Sequence, residues 1–131
     1  MVRRTLGGLA LVAAVISSAC ATNRVSDQPT LGDGTVARRV TVRNDNWLDV
    51  VIYAVRGSAR FRVGTVGGSS TQTFRLPAQA ISGGSEVQIL ADPIGATRGY
   101  VTDPVVLGPG QRLELQVGSP ISISTFAIRN E

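Results

Sequence analysis

The sequence predicts an all-β protein: an antiparallel β-sandwich of seven to nine strands, preceded by a signal peptide and a flexible tether. Three observations predict it. Short runs rich in Val, Ile and Thr alternate apolar and polar residues. Gly, Pro, Asn and Asp turn signals interrupt them about every ten residues. No stretch beyond the leader carries a convincing helical period.

Taken in order, residues 1–19 read as a leader. Arg3 and Arg4 supply its charge, Leu6 to Ile16 its apolar core, and Ser17, Ser18 and Ala19 the small residues before cleavage. The apolar run is short for a bilayer span, which needs about 20 residues. The one cysteine, Cys20, follows directly. Residues 17–20, SSAC, resemble the lipobox of bacterial lipoproteins, with Ser17 where Leu is commonest. That resemblance implies diacylation of Cys20 and a membrane anchor, and Ala21 next to it implies the outer membrane, facing the periplasm. The alternative is ordinary cleavage after Ala21, since Ala19-Cys20-Ala21 fits the A-x-A rule, and a secreted or periplasmic soluble protein. Residues 20–35 form the lipidated N-terminus and a polar tether with Pro29, Gly32 and Gly34, able to reach about 50 Å when extended.

The sandwich domain is expected over 36–118. Its organising stretch is Trp47 to Val55, WLDVVIYAV, the longest apolar run outside the leader. Leu48, Val50, Ile52 and Ala54 share one face of a strand; Trp47, Val51, Tyr53 and Val55 share the other with Asp49. Apolar on both faces, it belongs at the centre of a sheet. Before it, over 36–44, Val36, Val40 and Val42 point inward and Arg39, Thr41 and Arg43 outward, with Arg38 breaking the inward series, and Asn44-Asp45-Asn46 forms a turn. After it come a turn at Arg56-Gly57-Ser58, a strand over 59–66, Gly67-Gly68, and a strand over 69–76. These four strands read as a meander. Residues 77–85 are the longest connection and the expected crossing between sheets. Strands follow over 86–91, 98–102 and 105–107, and RLELQV over 112–117 closes the domain. Residues 119–131 are a C-terminal strand or tail, in which 121–128 is expected to pack as an added strand or flap beside the sheet, covering part of the outer face of the central strand. The expected core is Val50, Ile52, Phe61, Val63, Phe74, Leu76, Val87, Ile89, Leu113 and Leu115.

The short strand, Pro-Gly turn and RLELQV resemble the last hairpin of immunoglobulin-like bacterial domains, without their Cys…Trp…Cys signature. With the leader, the chain is similar to small bacterial lipoproteins built on one immunoglobulin-like β-sandwich. That resemblance implies a place in the cell envelope and no particular activity.

Composition narrows the function classes. There is no His for acid–base work or metal ligation, no second cysteine, and no G-x-S-x-G. Asp45, Asp49, Asp92 and Asp103 match no calcium-loop spacing and read as turn or paired carboxylates. The expectation is a non-enzymatic protein without cofactor or metal. All 13 basic residues are Arg and the net charge is +4; beyond Arg3 and Arg4 it is +2, too little for nucleic acid. Arg56, Arg60 and Arg62 form the candidate anion-binding cluster, and Arg39 and Arg43 a second row; solvated faces and guarded edges account for both more simply. The expected role is an envelope adaptor or structural module with an envelope protein partner. The alternative is recognition of an anionic envelope glycan, lipid or peptidoglycan group by the arginines.

Overall fold

The structure is a computed structural model that describes residues 37–130; the leader, Cys20, the tether and Val36 lie outside the described residues. Eight strands form two sheets of four. They are β1 (Arg39–Asn44), β2 (Val50–Arg56), β3 (Ala59–Val66), β4 (Thr71–Arg75), β5 (Gln88–Pro93), β6 (Tyr100–Val101), β7 (Gln111–Val117) and β8 (Thr125–Asn130). The first sheet has the order β4-β1-β7-β8 and the second β3-β2-β5-β6. Among the described residues no helix is long and apolar enough to cross a membrane.

Each inner face follows the period of two. Val40 and Val42 on β1, Val50, Ile52 and Ala54 on β2, Ile89 and Ala91 on β5, and Leu113, Leu115 and Val117 on β7 are buried between the sheets. Of the expected core, Phe61, Val63 and Phe74 are only partly buried, because β3 and β4 are edge strands with cover on fewer sides. Phe74 reaches across the edge: its ring lies where a Cβ on Gly64 would stand, so only glycine fits there.

β2 is interior, flanked by β3 and β5, as its composition predicts. The meander is not observed. β1 and β2 lie in different sheets, as do β3 and β4, so of these four strands only β2 and β3 form an in-sheet hairpin. Asn44 supplies the physical reason. Its buried side-chain amide donates to the carbonyls of Leu48 (2.8 Å) and Gly67 (3.0 Å), while its oxygen accepts from Asn46 N–H. This bends both 45–49 and 67–70 over one end of the sandwich instead of folding them back in-plane. β1 instead pairs with β7 in parallel; among the described residues the other strand pairs are antiparallel.

Residues 76–87 do cross between sheets, through the one-turn helix α1 (Ala78–Ile81) and a 3-10 turn. Residues 105–107 make only an isolated bridge, Val87 to Val105, between Pro104 and the Gly108-Pro109-Gly110 turn. The expected cover for the outer face of β2 is also not observed. A Ser124 hydroxyl bonded to Ile121 O holds 121–123 in a 3-10 turn, and β8 then pairs with the free edge of β7 in the opposite sheet.

Candidate functional site

The three arginines of the candidate cluster separate. Arg56 follows the inward parity of β2, and its guanidinium donates to Gln79 O (3.1 Å) and Ser82 Oγ (2.7 Å), tying the end of β2 to the α1 segment. Arg60 and Arg62 face outward together on β3, opposite Val55 and Tyr53. Arg62 also bonds Thr65 Oγ1 at 2.8 Å. The register shift between Ile52 and Tyr53 keeps Thr65 on the same outer face as Arg62, opposite Val51. Val51, Tyr53 and Val55 are half-buried, and the arginine stems across from them are placed to shield that stripe. Arg38, inward by parity, donates to Leu107 O at 2.6 Å and pins the start of β1.

A different surface stands out. β1, β3, β5 and β7 all end, and β2, β4, β6 and β8 all begin, at the same end of the sandwich. The loops there are 45–49, 67–70, 94–99 and 118–124. Three of them raise a large apolar side chain into solvent: Trp47 is 77% exposed, Ile94 55% and Ile123 62%.

The backbone beneath is braced. Asp45 N–H donates to Val117 O, Ser69 N–H to Asn46 O, and Ile94 N–H to Asp49 O, each at 2.8–2.9 Å. Asn46 Nδ2 reaches Gly118 O (3.3 Å), and Gly68 N–H donates to Asp49 Oδ1 (3.0 Å). Gly68 and Gly118 are positions where a Cβ would strike Trp47 O and the Ile123 side chain. The Asp45 carboxylate accepts from Gln116 (2.7 Å) and Arg43 (2.8 Å), and these bonds hold its pKa below the ordinary value. Burial, with Asp103 nearby, raises the Tyr100 phenol. Asp45 and Asp49 thus already have partners, in the neighbouring strands and the 67–70 loop. Among the described residues no three His, Cys, Asp or Glu side chains gather as metal ligands would. The sequence pattern places Trp47 on an apolar strand face with Val51, Tyr53 and Val55 and misses its exposure, because the bend at Asn44 is what lifts it out.

No protein-family model and no curated protein matches this chain. Among solved structures, the NMR structure of a protein from Eubacterium rectale is similar at a TM-score of 0.47 and 14% identity, over 76% of this chain and 94% of that one.

Proposed function

We propose that the chain is a non-enzymatic interaction module of the cell envelope, an immunoglobulin-like lipoprotein domain anchored through acylated Cys20, whose braced loop end docks an envelope protein. The observation that carries the reading is the exposure of Trp47, Ile94 and Ile123 on hydrogen-bonded loops. Exposed apolar groups that share a platform mark interaction sites more than scattered ones do. Trp is also prominent among interface hot spots, and a pre-ordered loop loses little entropy on binding. Charge favours a protein over a lipid surface. The four loops hold Asp45 and Asp49 against Arg98, whereas an anionic bilayer attracts basic residues. The leader and SSAC support the envelope placement.

The test is site-specific cross-linking in intact envelopes. The wild-type chain is expected to join one defined partner, the Trp47→Ala and Ile123→Ser variants to lose it, and Arg60→Ala with Arg62→Ala to keep it. Retention by both loop variants would show that the loop end is not the docking surface. Cys20→Ser should release the protein from membranes or leave it unprocessed, and a mature N-terminus at Thr22 would mean simple secretion.

A further inference from the structure

The register of the first sheet assembles something that no single strand reveals. Arg75 of β4 lies opposite Arg39 of β1, Arg39 beside Arg112 of β7, and Arg112 opposite Arg129 of β8. Four arginines therefore stand at one level across all four strands, on the outer face. With strands about 4.8 Å apart, the row is about 14 Å long. Like charges directly across a strand pair are destabilising, and here three such pairs lie side by side. Glu114 is the only carboxylate at an outward strand position of this face among the described residues. It bonds Arg112 at 2.9 Å and Arg129 at 3.5 Å. Solubility needs no such row, since mixed signs serve better. Natural sequences break a local rule of this kind mainly where function requires it.

We propose that this row binds a linear acidic polysaccharide laid across the strands, with its carboxylates on the guanidiniums. Guanidinium forks bind carboxylates in pairs of hydrogen bonds, and a row of them suits a polymer with repeating charge. The neighbouring levels carry hydroxyls and the Gln116 amide beside Glu114, groups that sugar hydroxyls can bond. Thr41 and Thr73 stand opposite one another, with Thr71 and Gln116 beside Arg43. An open depression of about 400 Å³ lies next to the row, lined by Thr41, Arg43, Thr71, Glu114, Gln116 and Thr125. Among the described residues, no exposed large hydrophobic residue stands at an outward strand position of this face to enter a bilayer, and no aromatic stands at one to stack a nucleic-acid base. The proposal does not rest on the exposed loop residues Trp47, Ile94 and Ile123, none of which belongs to the row.

The experiment is calorimetric titration of the full-length chain, in neutral detergent, with polygalacturonate. Binding should weaken as salt is raised. Replacing the two ends of the row, Arg75→Thr with Arg129→Thr, should weaken it at least about tenfold. Removing the same charge from the other sheet, Arg60→Thr with Arg62→Thr, should change it less than about twofold. Equal losses from both pairs would reduce the effect to net charge and overturn the proposal. So would binding to phosphatidylglycerol vesicles or to single-stranded DNA with none to polygalacturonate. The row variant should melt no lower than wild type, so a loss of binding cannot be assigned to unfolding.

Discussion

The outer faces of the two sheets use the same residue for opposite ends. On the second sheet, Arg60 and Arg62 lie opposite Val55 and Tyr53, where their stems are placed to shield an apolar stripe. On the first sheet, Arg75, Arg39, Arg112 and Arg129 lie next to one another at one level, with Glu114 bonded to Arg112 and Arg129. Both faces come from alternating Arg-containing strands that read alike in sequence. What an outward arginine does is decided by the residue across the ladder, and that residue belongs to another strand.

The comparison rests on two inner faces that are equivalent, and the largest effects should show it. Ile52→Ala in the second sheet and Leu113→Ala in the first should each cost about 2–5 kcal/mol in denaturant unfolding, since both side chains are fully buried. A loss below about 1 kcal/mol at either would mean that sheet is loosely packed. Next comes the end that joins the sheets. Asn44→Ala removes the amide that holds both crossing loops and should cost about 1–3 kcal/mol. The outer faces should then differ in sign. Arg75→Thr relieves repulsion and should stabilise by about 0.2–1 kcal/mol, whereas Arg62→Ala uncovers Tyr53 and should destabilise by up to about 0.5 kcal/mol. The same sign at both positions would erase the distinction.

The smallest effect is a pH dependence. The Asp45 pKa is lowered by Gln116 and Arg43, so its stabilisation is fully present above the ordinary value of 3.8 and is lost as pH falls through the lowered pKa. The difference in melting temperature between wild type and Asp45→Asn should therefore shrink on acidification below that value.

Much of the fold was legible because one-face burial writes itself into alternation. Val40, Val42, Leu113 and Leu115 are read correctly on pattern alone. Pairing partners were not legible. A turn at Asn44-Asp45-Asn46 serves a hairpin or a crossing equally well, and the choice is made by the Asn44 amide reaching Gly67, distant in sequence. The same holds for the candidate sites. Arg56, Arg60 and Arg62 are neighbours along the chain and Arg56 still faces the other way, bonded at Gln79 and Ser82. Trp47 is apolar and still stands in solvent. Sequence proximity served where the contact is local and failed where it is made by strands far apart.

The parallel pairing of β1 with β7 also means that the first sheet stays incomplete until β7 is available. β1 is an interior strand, so its two flanks are filled by β4 and by a segment that ends at Val117. The β2–β3 hairpin closes from neighbours in the chain, but the first sheet cannot close until residues 111–117 have emerged and returned to the start. Contacts of such long sequence separation make for slow folding. A chain still being made, or cut before β7, would hold Val40 and Val42 beside an open ladder edge, with unpaired backbone groups offered to any strand that passes.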